Sequence, residues 1–203
     1  MISKSMYVRG MQCTKSLYLY INSPKERVIR GSTQERFDKG HKIGKLAQNL
    51  FPGGIDCGME VTNRDQKECR ARTSKAIKDG CKVIYEAAFE YNGVTAIIDI
   101  IVKRGSKWDL YEVKSSASVH DYHTNDFCLQ YYVINGSGLN INDISIVHID
   151  NSYIRNGEID CKKLFKIVSV KKQAIEGQAD IEANISKFKK ILNRIPSLNL
   201  DGS

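Results

Sequence analysis

Three β-rich runs at 82–91, 94–104 and 107–114 stand almost end to end, parted only by Asn92-Gly93 and Gly105-Ser106. Asn-Gly is the strongest short hairpin signal because both central residues of a type I′ turn need positive φ, and Gly-Ser suits a two-residue turn less decisively. The middle of the chain therefore reads as a three-stranded antiparallel meander. Helical patterns surround it. Residues 3–21 read as two short helices, capped by Ser3 and Thr14 and parted by a turn at Gly10. Ser32 and Glu35 have capping-box spacing at the head of a helix running to Leu50, before Phe51-Pro52-Gly53-Gly54. Asn63 to Asp79 reads as a further helix ended by Gly80, with Arg64, Lys67, Arg70, Arg72, Lys75 and Lys78 forming a solvated or, less usually, phosphate-facing surface. After the meander, 119–135 reads as a helix closing at Gly136, and Ile141 to Ile149 as an apolar strand. In the tail, 170–194, Ile175, Ile181, Ile185, Phe188 and Ile191 mark an amphipathic helix docked on the core. The order predicts an α/β fold of the pattern αβββαβ: a mixed sheet flanked by helices, with extra helices at the N-terminus and one at the C-terminus.

At 203 residues, with 41% hydrophobic and 27% charged, the chain can bury one core and reads as a single domain: a helical segment over residues 1–80, a sheet core over 81–150 and a C-terminal hairpin and helix over 151–203. No stretch approaches the ~18 apolar residues of a membrane span, and the opening lacks the apolar block of a secretory signal. A soluble cytoplasmic protein with no membrane partner is expected. Cysteines at 13, 57, 69, 81, 128 and 161 include no C-x-x-C pair, which favours reduced thiols over a zinc site. The net charge of +8 favours a polyanionic partner such as nucleic acid, although basic proteins without one are common.

Chemistry concentrates at Asp99, set in the apolar run from Ala96 to Val102. An ionised carboxylate there is costly unless paired or metal-bound. If Asn92-Gly93 is a two-residue turn, Tyr91 pairs with Val94 and Glu86 falls opposite Asp99; if Gly105-Ser106 is another, Arg104 pairs with Lys107 and Glu112 falls opposite Asp99. Like charges so placed repel. A divalent cation would offset that repulsion, oxygen ligands suiting Mg²⁺ or Mn²⁺; a shared proton is the weaker alternative. Lys114, two residues beyond Glu112, presents an ammonium on the same face. The competing reading is an ion-pair cluster at a sheet end. His41 shares a helix face with Phe37, Gly40, Gly44 and Ala47, where the glycines admit another backbone or a ligand; alone it reads as a core histidine. His120 and His123 read as a solvated polar cap rather than a metal pair.

These residues resemble the PD-(D/E)XK nuclease superfamily, in which an acid precedes an E-x-K motif, here Asp99 and Glu112-Val113-Lys114. The wider pattern is similar to the RecB-like branch, which includes CRISPR-associated exonucleases and a related uncharacterised bacterial and archaeal domain family. It rests on ISKSMYVRGMQCTKSLYLY, FDKGHKIGKLAQNLFPGG, YEAAFEYNGVTAIIDIIVK, WDLYEVKSS and DFCLQYYVINGSGL, in that order, over roughly residues 2–150. The resemblance implies a restriction-endonuclease-like core, with Asp99, Glu112, Lys114 and Gln130 catalytic and a metal set of His41, Glu86, Asp99, Glu112 and Val113. Lys114 would orient the attacking water or stabilise charge. Where the branch often carries a tyrosine four residues after that glutamine, this chain has Ile134; Tyr131, Tyr132 and Lys15 are the candidate nucleic-acid contacts. Several relatives in the branch hold an iron–sulfur cluster, and Cys13 matches its first cysteine. No terminal cysteine triplet follows, so no cluster is expected in this chain, and Cys13 would serve one only if the chain is a fragment of a longer protein.

The expected function is Mg²⁺- or Mn²⁺-dependent hydrolysis of DNA phosphodiester bonds, the resemblance implying an exonuclease. The competing readings are a non-catalytic nucleic-acid-binding module and a fragment of a longer iron–sulfur nuclease.

Overall fold

The computed structural model describes residues 1–26, 31–58, 66–120 and 123–193. Their elements run β1 (Ile2–Ser3), α1 (Lys4–Gln12), α2 (Thr14–Asn22), α3 (Gly31–Ala47), β2 (Ile55–Asp56), α4 (Gln66–Lys78), β3 (Val83–Tyr91), β4 (Val94–Arg104), β5 (Lys107–Lys114), α5 (Thr124–Gly136), β6 (Ile141–Ile149), α6 (Cys161–Leu164), β7 (Phe165–Ser169), α7 (Lys171–Glu176) and α8 (Gln178–Leu192). The fold is α/β, a mixed sheet with helices on both faces. The main path of the sheet runs β2-β3-β4-β5-β6-β7, and β1 pairs with β4 off that path. No helix among the described residues is long and apolar enough to cross a membrane.

The meander forms as the turns predict. Tyr91 pairs with Val94 and Arg104 with Lys107. Gly93 and Asn92 adopt the positive φ a type I′ turn needs, at 70° and 49°. Beyond the meander β6 lies parallel to β5, and β7 returns antiparallel to β6. The hairpin expected in the C-terminal segment is corrected: its one described strand, β7, pairs back on β6, and with four of its five residues exposed at the sheet edge it shows no alternation that would have placed it. The two-residue strands β1 and β2 are too short to leave a periodic signal.

Two layers of side chains hold the helices on. The larger, built on Ile84, Ala87, Ile98, Ile101, Leu110, Ile144 and Ile146, is covered by α1, α2, α5, α7 and α8. The smaller, built on Tyr85, Ile100, Val102, Tyr111 and Val147, lies beneath α3 and α6. Helix α5 is buried nearly all round, from Phe127 to Ile134, and is the central helix of the larger layer.

Several helical boundaries differ from expectation. Gly10 lies inside α1, and the chain breaks instead at Cys13, which is extended (φ −163°, ψ 117°) and takes the capping place expected of Thr14, its sulfur accepting the Ser16 N–H at 3.5 Å. Gly10 serves close approach: a Cβ there would lie 2.7 Å from the ring of the buried Phe188 on α8. Gly10→Ala is therefore expected to overpack this contact by about 1–3 kcal/mol, read as a lower urea midpoint; an unchanged midpoint would refute the tight approach. Helix α5 begins at Thr124 rather than near 119, and the tail helix is broken at Gly177, where a Cβ would meet Cys128 Sγ at 2.7 Å. Ile181, Ile185 and Phe188 pack inward as predicted, whereas Ile175, before the break, is exposed. Ser32, expected to cap the next helix, lies inside α3, which already runs from Gly31; the Asn63 helix start lies outside the described residues. On α4, Arg72 pairs with Glu68 at 2.8 Å and Arg70 with Glu90 of β3 at 3.1 Å. All six cysteines are free thiols.

Candidate active site

The site begins as a gap in the sheet. Along one edge of β4 lies β3; along the other, β1 pairs with Val94 and Thr95, while β5 pairs only from Ile100 to Arg104. Residues 96–99 of β4 are left without a strand on that edge. Past Tyr111, β5 leaves β4 and stays with β6, through Glu112↔Ile146, Val113↔Val147 and Lys114↔His148. Side chains take over in the gap. Asp99 Oδ2 accepts the Val113 N–H at 2.6 Å, and Gln130 Nε2 donates to the Ile97 carbonyl at 3.0 Å.

The three acids meet here, though not as three regular cross-strand pairs. By count Glu86 falls between the pairs Tyr85↔Ile100 and Ala87↔Ile98, opposite Asp99, but the ladder skips it. Its backbone is left-handed, φ 51°, a conformation that costs a non-glycine residue about 1–2 kcal/mol. Both strands reverse their facing at this point. On β3, Ile84 and Ala87 reach the larger core with Tyr85 in the smaller; on β4, Ile98 and Ile101 reach the larger with Ile100 in the smaller. Glu86 and Asp99 sit at the two reversals. The expected direct opposition is corrected accordingly, and the physical reason is the one that made it costly: adjacent carboxylates in a flat ladder would repel. Gly58 makes room for the displaced acid, since a Cβ on it would lie 2.7 Å from Glu86 Cβ.

Glu112, on regular β5, faces the larger core and is buried at 3% exposure. Its Oε1 accepts from Lys114 Nζ at 2.9 Å, as the same-face reading predicts, and also from Lys4 Nζ at 2.7 Å. Its Oε2 accepts from Gln130 Nε2 at 2.5 Å. Gln130 is fully buried, and its own Oε1 meets no donor among the described residues. Lys114 makes a second ion pair with Asp126 in the first turn of α5. Lys4 and Asp126 are absent from the sequence reading. Lys4 leaves no signal because it reaches Glu112 across 108 positions, by way of β1.

These contacts set the charge states. Burial alone would raise the Glu112 carboxyl, but the Lys114 and Lys4 ammoniums outweigh it and hold it well below the carboxylate range. Burial would lower Lys114, yet Glu112 and Asp126 keep it protonated. Asp99 goes the other way: burial first, then repulsion from Glu112, raise it well above its ordinary value despite Lys4. Two neighbouring carboxylates are thus driven apart, the pattern of acid–base and metal sites.

A cavity of about 690 Å³ opens over this gap, lined on the sheet side by Glu86, Asp99, Glu112 and Val113 and on the α3 side by Phe37, His41 and Lys45, with Lys4 at the α1 end. His41 is exposed to it, so it is not a core histidine. Gly40 and Gly44 pack against no backbone; a Cβ on either would meet nothing within 4 Å, and both line the cavity. Among the described residues no three His, Cys, Asp or Glu side chains form a metal-holding group, and the Glu112 oxygens are engaged by lysine and glutamine. The donor set nonetheless fits a hard divalent cation: oxygen ligands from separate strands face one cavity, and Asp99 carries a repulsion that a cation would relieve.

The remaining expected residues fall elsewhere. Tyr132 is buried at 7%, accepts from Asn92 Nδ2 at 3.0 Å and packs edge-on against Tyr91, so it is core and not a base-stacking platform. Tyr131 packs against the same core, Ile134 is fully buried, and Lys15 and Cys13 are near the start of α2, Cys13 exposed. Of the histidines expected in a solvated cap, His120 is exposed, whereas His123 corrects the expectation: it is 4% exposed, and burial, then Lys114, lower its pKa and favour the neutral ring. No family model and no curated protein matches this chain.

Proposed function

We propose that the chain is a metal-dependent deoxyribonuclease built on a PD-(D/E)XK-type core, hydrolysing phosphodiester bonds and acting as an exonuclease of the RecB-like kind. One observation carries the reading. Asp99, Glu112 and Lys114 converge at a break in the sheet, under a cavity that Glu86 and His41 also line. A structural ion-pair cluster gives no reason to hold Glu86 in a left-handed backbone or to leave Asp99 repelled.

Glu86, Asp99, Glu112, the Val113 carbonyl and His41 would hold Mg²⁺ or Mn²⁺, which supplies charge neutralisation at phosphate and a more acidic bound water. The residues themselves do the positioning. Val113 N–H orients Asp99, Gln130 orients Glu112, and Asp126 steadies Lys114. Lys114 stays charged and stabilises the negative charge that develops during displacement. Lys4 and Lys45 line the cavity wall, paired with Glu112 and Asp56, and are the ammoniums there suited to a phosphate backbone.

The test is cleavage of labelled linear single- and double-stranded DNA with Mg²⁺, Mn²⁺ or EDTA. Asp99→Ala and Lys114→Ala are each expected to lose about 10²-fold or more while the native chain cleaves only with metal. Metal-independent cleavage, or cleavage surviving both substitutions, would reject the site. A non-catalytic DNA-binding module is favoured by one fact, that Glu112 is already neutralised by two lysines; DNA binding without cleavage by the native chain would select it.

A further inference from the structure

Two ammoniums share one oxygen at the bottom of the site, and they are not equivalent. Lys114 is held on two sides, by Glu112 and by Asp126, and does not line the cavity. Lys4 lines the cavity, forms its ion pair with Glu112, and has a side chain 28% exposed against 18% for Lys114. Its backbone is pinned: Ile2 is buried and pairs with Val94, and Ser3 caps α1 by accepting the Met6 N–H at 3.3 Å. Only the four-carbon stem of Lys4 is free to swing. Glu112 Oε1 accepts from both ammoniums and Oε2 from Gln130, so a cation that takes this carboxylate as a ligand approaches against two positive groups on it. The lysine that can leave without stranding a second carboxylate is Lys4.

We propose that Lys4 is an exchangeable counter-ion: it neutralises Glu112 until a divalent cation binds the carboxylates, then turns into the cavity, where it binds a phosphate of the nucleic acid. This rests on the metal-dependent nuclease reading and adds to it a positioning residue with two stations. Metal binding and strand binding are thereby coupled, because the ammonium released by one event serves the other. Each event favours the next by the same factor.

The experiment measures Mn²⁺ binding by titration calorimetry and by the loss of the free-ion paramagnetic signal. It compares the native chain with Lys4→Met, Lys4→Arg and, as a control for net charge, Lys107→Met at the exposed β4–β5 turn. Lys4→Met is expected to bind Mn²⁺ about 5- to 150-fold more tightly, the usual span of a coupling between sites. In Ca²⁺ the same variant is expected to bind labelled oligonucleotides more weakly, with the slope of log affinity against log salt lower by about 0.7–0.9, one phosphate contact. Lys4→Arg keeps the charge and is expected to stay near native in both readouts. Opposite signs on metal and strand are what a merely structural lysine would not produce. Unchanged or weaker Mn²⁺ binding in Lys4→Met, or equal tightening in Lys107→Met, would overturn the exchange while native Mn²⁺ binding left the nuclease reading standing. A native chain that binds no Mn²⁺ would overturn both.

Discussion

Glu112→Ala is expected to destabilise the fold by about 3–5 kcal/mol, the cost of removing one partner from a buried ion pair. Glu112 is the most enclosed charge of the site, at 3% exposure, and three donors converge on it: Lys4, Lys114 and Gln130. Its loss leaves one ammonium with Asp126, another without the anion it faces, and a buried amide without its acceptor. Glu112→Gln keeps an acceptor and is expected to cost less. The dependence on pH has a definite sign. The folded-state pKa is depressed by Lys114 and Lys4 acting against burial, so the contribution is present above the unfolded pKa and is lost as pH falls through the folded one. Urea unfolding at neutral pH with an unchanged m-value reads the loss. A cost below about 1 kcal/mol would mean that the lysines discharge into water, and that the buried cluster holds little of the stability.

Asp99→Asn is expected to move stability the opposite way, raising the melting temperature in EDTA at about pH 8 while removing metal-dependent cleavage. Asp99 is a strained charge, raised by burial and by Glu112 and Glu86, with Lys4 only partly offsetting them. Asparagine keeps an oxygen for the Val113 N–H and carries no charge. Relief of a poorly compensated buried group is worth about 1–3 kcal/mol, and in a chain of this length each kcal/mol moves the midpoint by about 2–4 °C. Because the folded pKa is raised, the native state binds the proton more tightly than the unfolded chain. Stability from this group is fully present below the unfolded pKa and is lost as pH rises through the folded one. Native protein in EDTA should therefore lose stability more steeply than Asp99→Asn as pH rises above about 4, the unfolded Asp value. Parallel pH profiles, or a lower midpoint for the variant, would show that Asp99 carries no such strain. Together the two substitutions separate a carboxylate that holds the fold from one that the fold holds at a cost.

Much of the fold follows from local signals. Asn92-Gly93 and Gly105-Ser106 set both hairpin registers, because turn chemistry acts within four residues and needs no tertiary partner. The strand Ile141–Ile149 and the inward face of α8 at Ile181, Ile185 and Phe188 follow from periodicity for the same reason. So does the pairing of Lys114 with Glu112, two residues apart on one strand. Residues whose place depends on distant packing are another matter. Gly10 reads as a turn until the Phe188 ring is set against it, and Tyr132 reads as a candidate nucleic-acid contact until Asn92 and Tyr91 close over it.

That three acids and a lysine come to neighbouring positions on a meander is legible in the chain alone, since counting outward from two tight turns requires nothing else. How those charges coexist is settled only by the packed molecule. Glu86 and Asp99 lie where β3 and β4 reverse their facing, β5 leaves β4 at Tyr111, and Lys4 arrives from the start of α1 to neutralise Glu112. Repulsion between carboxylates is reduced, though not removed at Asp99, by backbone rearrangement and by a lysine 108 positions away in sequence. Both are consequences of packing the whole chain, which no local pattern encodes.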